Sequence, residues 1–285
     1  MRKTFRLVIS CPDRTGIVSA VSQFIKEREG SIVEASHHTD LESKWFFMRH
    51  DIDAQSLSVD VATFREEFAA IAEEFDMRWY VKDSEDRPKV MLLATKESHC
   101  LNDIMHRWHT GELNCDIVGV IANHESLRSM VEWYKIPYHC ISVPKDNKMP
   151  AFQEIEACID NAQADTIVLA RYMQIFPEYL CKKYRHRVIN IHHSFLPSFI
   201  GAKPYHQAAV RGVKLIGATC HYVTADLDAG PIIEQDVIRV RHSHAAADMV
   251  RLGKDIEKLV LSRGLRYHLE DRVLVHGNKT IVFAD

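Results

Sequence analysis

The chain is defined first by what it lacks. No apolar run is long enough to cross a bilayer, and Met1-Arg-Lys-Thr-Phe leads straight into a strand pattern with no signal peptide. Membrane and export roles are thereby excluded, and a cytoplasmic protein is expected. Its seven cysteines are scattered, with no CxxC pair among them. That excludes a zinc-ribbon signature, fits a reducing compartment, and leaves no metal site expected. Net charge is only -3, so no general affinity for nucleic acid follows. What remains, 285 residues with 46% hydrophobic and 26% charged, is an ordinary globular composition of one large or two smaller domains.

The patterning favours two domains. Phe5–Ser10 alternates as a strand, and Cys11-Pro-Asp-Arg-Thr-Gly16 is a turn in which Asp13 or Thr15 can cap the helix that follows. Ile17, Val18, Val21, Phe24 and Ile25 recur at helical spacing, and Gly30 ends that helix. Two strands around Asp40–Ser43, a second helix over 61–75 and a strand over 77–81 complete a βαββαβ order, the ferredoxin-like sandwich. The polar stretch 84–88 reads as a linker, dividing residues 1–83 from 89–285. Beyond it, the apolar run Lys89–Ala94 is suited to a buried parallel strand. Strands and helices then alternate, which predicts an α/β fold with a doubly wound, mostly parallel sheet and a site at the strand C-terminal ends.

Val188–Tyr205 carries the chemistry. Val188, Ile189 and Ile191 make a strand, so Asn190 and His192 point to one side of it. Pro197, Gly201 and Pro204 then make a loop over that edge. An amide can stabilise a developing oxyanion, and an imidazole can move or stabilise a proton. A strand-end histidine and a turn-forming asparagine would explain this pair alone. The third group is Asp228, which shares with Asp226 an acidic loop over 224–231 between two further strands.

Asn190-Ile-His192 and Leu227-Asp228-Ala-Gly-Pro231, in that order, resemble the formyltransferase family that uses 10-formyltetrahydrofolate, over about residues 89–275. The resemblance implies a catalytic trio of Asn190, His192 and Asp228, with folate as substrate and no permanently bound cofactor. It assigns Leu169, Tyr172, Met173, Gln174 and Ile175, with Val223, Thr224 and Asp226, to the folate pocket. Phe176 would add to its apolar walls, and both Ile175 and Phe176 have the alternative of core positions at a helix start. The family's glycinamide ribonucleotide transformylases carry a glycine-rich phosphate loop after the first strand of this sheet. Here Thr95–Asn102 has no glycine, and Glu97 adds negative charge, although Lys96 or His99 could still hold an anion.

Water is therefore the expected acceptor. The reaction expected from the resemblance is hydrolysis of 10-formyltetrahydrofolate to formate and tetrahydrofolate, supplying formate for purine synthesis and balancing one-carbon folate pools. The alternatives are transfer to an amine, or a non-catalytic folate or amino-acid sensor. The N-terminal pattern, strand then Cys-Pro-Asp-Arg-Thr-Gly-Ile-Val then helix, is similar to the ACT domain. That implies homo-oligomerisation and an amino-acid effector near Asp13, Thr15, Gly16 and Ile17, where helix N–H groups favour a carboxylate.

Overall fold

Phe5, Leu7, Ile9 and Cys11 lie on one face of the first strand because strand side chains alternate, and all four are buried. The computed structural model describes residues 3–197 and 204–284. In it, β1 (Thr4–Pro12), α1 (Ile17–Glu27), β2 (Ile32–Asp40), β3 (Trp45–Asp53), α2 (Val61–Glu74) and β4 (Arg78–Asp83) follow in the expected order. Their antiparallel sheet has strand order β2-β3-β1-β4, the ferredoxin-like arrangement. The face carrying Leu7, Ile9 and Met48 packs against Val21, Phe24 and Ile25 of α1 and Phe64 and Phe68 of α2.

Two local expectations are corrected here. Gly16 itself is the N-cap of α1, at φ 100, and no side chain caps the helix, so neither Asp13 nor Thr15 does so. By contrast α2 is capped by Asp60, which accepts from the Thr63 N–H at 2.8 Å. At the other end of α1 the left-handed residue is Glu29, at φ 60, and the Gly30 N–H closes the turn onto the Ile25 carbonyl at 2.9 Å.

The second unit contains β5 (Lys89–Ala94), α3 (His99–His109), β6 (Asp116–Ala122), α4 (Arg128–Trp133), β7 (Tyr138–Cys140), α5 (Met149–Asn161), β8 (Thr166–Leu169), α6 (Glu178–Lys183) and β9 (Val188–His192). It continues with α7 (Pro204–Arg211), β10 (Leu215–Tyr222), β11 (Ile232–Arg239) and α8 (Ala246–Leu269). The sheet order is β11-β10-β9-β8-β5-β6-β7. Strands β5 to β9 run parallel, and β10 is antiparallel to both its neighbours. The order reverses between β5 and β8, the switch point where doubly wound sheets open a crevice at their strand C-terminal ends. The expected loop after His192 is described as far as Pro197. Residues 198–203, including Gly201, lie outside the described residues, and Pro204 opens a helix, a favoured place for proline.

β12 (Val273–His276) and β13 (Lys279–Val282) form the terminal hairpin. Sequence grouped this tail with the second domain. By compactness, Glu270–His276 and Ile281–Asp285 join Met1–Arg87, while Gly277–Thr280 joins Pro88–Leu269. The reason is the other face of the N-terminal sheet, where Val8 and Phe47 are apolar. Leu274, Ile281 and Phe283 cover them. Beside that cover, Arg49 pairs with Asp51 at 3.0 Å and Arg272 with Glu34 at 3.0 Å.

Candidate active site

The cavity at the switch point has a volume of about 630 Å³, within the range of small-molecule sites. β9 ends in it. Asn190 and His192 both line it, with His221 of β10 and Asp228 of the loop between β10 and β11. Antiparallel pairing sets His221 opposite Asn190 and Thr219 opposite His192. The chain after β9 is held down by Thr219, whose hydroxyl accepts from the Leu196 N–H at 3.0 Å and donates to the Ser194 carbonyl at 2.9 Å.

The loop delivers Asp228 by two backbone devices. Asp228 adopts φ 54, a left-handed conformation that aspartate tolerates better than most residues. Gly230 follows, and a Cβ there would lie 1.8 Å from the Tyr222 carbonyl oxygen, so only glycine lets the loop return this close to β10. Asp228 Oδ2 then lies 3.1 Å from His192 Nδ1, and Oδ1 lies 3.6 Å from His221 Nε2. Burial works against the Asp228 charge, but the hydrogen bond with His192 favours it, and the carboxyl is held well below the usual carboxylate range.

The remaining hydrogen-bonding capacity decides what this cluster can do. His221 Nδ1 donates to the Tyr222 carbonyl at 2.9 Å, leaving Nε2 to accept from the Asn190 amide at 3.1 Å. One N–H of Asn190 is thereby fixed and the other is available. His192 is 6% exposed, its Nδ1 faces Asp228, and its Nε2 is buried without a partner. A buried unpaired nitrogen on a cavity wall is costly unless a ligand meets it. The arrangement offers two donors to one developing oxyanion and a carboxylate to order a nucleophile.

Leu169, Tyr172, Met173, Gln174 and Ile175 line another part of the cavity, together with Val223, Thr224 and Leu227. The segment is pinned by Thr95, whose hydroxyl accepts from the Met173 N–H at 2.9 Å and donates to Asn123 at 3.0 Å. Met173, Ile175 and Leu227 are 55%, 62% and 62% exposed, an apolar rim suited to a flat ring. Phe176 both lines the cavity and, with Leu169 and Tyr172, packs in the core beneath. Asp226 is not among the lining residues; its carbonyl accepts from the Thr224 hydroxyl at 3.0 Å and shapes the loop.

A third wall is polar and was largely unseen in the sequence. Glu257 of α8 is 1% exposed. It meets His99 Nε2 at 2.8 Å, the Tyr205 hydroxyl at 2.7 Å and Arg171 Nε at 3.3 Å. Although burial opposes ionisation, those neighbours hold Glu257 below its ordinary value. Lys96 is not a lining residue, whereas Glu97 and Lys254 are, paired at 2.6 Å. His99, Cys100 and Glu257 bring ligand atoms within 4.8 Å of one another. Arg171 already supplies the positive charge there, and burial pushes the Cys100 thiol well up, so the set is poorly suited to a cation.

Of the regulatory candidates, Asp13, Thr15 and Gly16 are exposed at the start of α1, while Ile17 is a core residue. His221 and Glu257 were missed because they lie 31 and 67 residues from Asn190 in sequence (221 − 190 and 257 − 190). For His221, the strand alternation Thr219, His221, Val223 was the available signal.

The formyl transferase family profile matches residues 88–265. The formyltetrahydrofolate deformylase of Bacillus subtilis is 47% identical over 279 residues, covering 98% of this chain and 93% of that protein. The crystal structure of a formyltetrahydrofolate deformylase from Pseudomonas syringae pv. tomato superposes with TM-score 0.98 at 62% identity, over 100% of this chain and 95% of that one. Glycinamide ribonucleotide transformylase 1 from Symbiobacterium toebii matches with TM-score 0.67 at 22% identity, over 72% of this chain and 97% of that one, and shows the shared fold.

Proposed function

This chain belongs to the formyltetrahydrofolate deformylase family and hydrolyses 10-formyltetrahydrofolate to formate and tetrahydrofolate; we propose that Asn190, His192 and Asp228 carry the reaction. The observation that carries the assignment is the unpartnered Nε2 of His192, buried at the cavity wall beside the free N–H of Asn190. Water attacks the formyl carbon, and the carbonyl oxygen becomes an oxyanion held by Asn190 Nδ2–H and His192 Nε2–H. His192 Nδ1–H donates to Asp228, whose carboxylate supplies the counter-charge for an imidazolium.

The same carboxylate orients the attacking water. Because Asp228 is held well below the usual carboxylate range, it is a weak base and does not keep the proton. It passes the proton to N10 as the carbon–nitrogen bond breaks and that nitrogen becomes basic. The other water proton stays on formic acid and is lost to solvent as formate forms. The pterin ring lies against Met173, Ile175 and Leu227, with Leu169, Tyr172, Gln174, Val223 and Thr224 completing its pocket. No resident cofactor or metal takes part. A cytoplasmic setting belongs to the same proposal, since all seven cysteines are free thiols.

The test is formate release from 10-formyltetrahydrofolate with water as the only acceptor, and Asp228→Asn as control. Release by the native protein that is lost in the variant supports the assignment; a fully active variant removes Asp228 from the mechanism.

The N-terminal unit is assigned a regulatory, oligomer-forming role. Support comes from its ferredoxin-like sheet and from the start of α1, which no side chain caps. An amino-acid carboxylate binds there beside Asp13, Thr15 and Gly16. Calorimetric titration with glycine and with methionine tests this, and absence of heat with both removes those effectors. Sedimentation at micromolar concentration tests the oligomer, and a monomer there would contradict it.

A further inference from the structure

The polar wall begins one residue beyond the catalytic imidazole. His193 follows His192, their ring centroids 5.3 Å apart, and the His193 ring lies 6.2 Å from that of Tyr205. Folate chemistry occupies the apolar side of the cavity, so a second reactant approaching the formyl carbon meets this polar side. In charge it is closed on itself. Among the described lining residues Arg171 and Lys254 are the arginine and lysine, and Glu257 and Glu97 are their carboxylate partners, at 3.3 and 2.6 Å. Burial, reinforced by Arg171, pushes His193 down to about 4, so at neutral pH it adds no charge.

The arrangement is built rather than incidental. Arg171 immediately follows the first residue after β8 and adopts φ 63, a conformation unfavourable for a long side chain. It nevertheless meets Glu257. Tyr205 lies directly on α8: a Cβ at Gly253 would fall 2.1 Å from its ring. Glu257, four residues on, is on the same helix face and receives the Tyr205 hydroxyl. That phenol is pushed up by burial and by Glu257, so it remains a donor.

We propose that this wall is the acceptor side of the site and that Glu257 is its specificity-determining residue. Its carboxylate stands on Arg171 and His99, where the anionic group of a phosphorylated or carboxylated acceptor would need to bind. Among the described residues of this wall such an acceptor finds no arginine or lysine without a carboxylate partner and meets two carboxylates, while water needs neither. The inference rests on this cavity being the site of formyl transfer to water. It adds a reason, within this chain, that no larger acceptor competes.

The test uses inorganic phosphate as the probe, scored both by inhibition of hydrolysis and by thermal stabilisation of the folate-free protein. The second readout does not depend on catalysis, so failure of the proposed reaction and failure of this inference are distinguishable. Native protein is expected to be indifferent to millimolar phosphate. Glu257→Gln uncovers Arg171 and is expected to bind phosphate about 10- to 100-fold more tightly, the gain from one or two charge-assisted hydrogen bonds. Adding Arg171→Gln should abolish that gain. If Glu257→Gln does not fold, Glu257→Met, uncharged and of similar length, is measured in its place. A folded variant no more sensitive to phosphate than the native protein overturns the proposal, as does sensitivity that survives loss of Arg171.

Discussion

The two closest carboxylate–imidazole pairs lining the cavity are built differently. Asp228 meets His192 at 3.1 Å and Glu257 meets His99 at 2.8 Å. Glu257 is buried and Asp228 half-buried, and both are held below their ordinary values. They differ in what the rest of each pair is bonded to. Glu257 is also held by Arg171 and Tyr205, and the second nitrogen of His99 faces Glu97 at 3.7 Å. Neither second nitrogen has a hydrogen-bond partner, but that of His99 has a carboxylate beside it and that of His192 has none. The pairs differ in what holds the carboxylate: an arginine and a phenol surround Glu257, whereas Asp228 meets only imidazoles.

Substitution at the two carboxylates is the strongest way to break this comparison. Asp228→Asn removes the counter-charge of His192 and is expected to lower kcat by about 10³-fold or more, with folate affinity retained. Asn190→Ala removes one oxyanion donor and should lower kcat by about 10²- to 10³-fold. Single-turnover formate release with parallel folate titration checks both, and an effect on KM alone would mean that these residues only bind.

Smaller effects sharpen the comparison by testing how each carboxylate is delivered. Gly230→Ala forces the Asp228 loop away from the Tyr222 carbonyl and should destabilise the protein by about 1–3 kcal/mol, lowering Tm and activity together. Gly253→Ala pushes Tyr205 off α8 with a similar loss of stability, but it leaves Asp228 in place, so activity per folded molecule should fall less. Equal losses of activity would erase the distinction between the pairs.

The smallest effect at neutral pH is a shared one. His193 in the second unit and His50 in the first are each pushed down to about 4, mainly by burial. Their folded values lie below the unfolded value near 6.5, so the unfolded chain binds more protons between these limits. Stability is therefore full above about pH 6.5 and falls as pH drops towards about 4. His193→Gln and His50→Gln should each flatten that slope in pH-dependent melts, and an unchanged slope in both would refute the assignment.

Much of the architecture was legible because it is written in local periods. Leu7 and Ile9 alternate, Val21, Phe24 and Ile25 repeat at helical spacing, and Lys89–Ala94 is continuously apolar; each pattern found its element within a residue or two. The cap of α1 was misjudged because a glycine N-cap leaves no side-chain signal. The tail was placed with its sequence neighbours, whereas the exposed apolar face at Val8 and Phe47 decided where it packs.

The sequence by itself determined the alternation of strands and helices, the βαββαβ order, and the presence of an amide, an imidazole and a carboxylate in a recognisable order. Only the tertiary structure decided that His221 stands opposite Asn190, that His192 keeps one nitrogen free, and that Glu257 neutralises Arg171. Secondary structure follows from neighbours a few residues apart, whose periods the chain carries along its length. Which polar atoms remain unpaired depends on register and on segments far apart in the chain, and it is settled only when the sheet, α7 and α8 are assembled around one cavity.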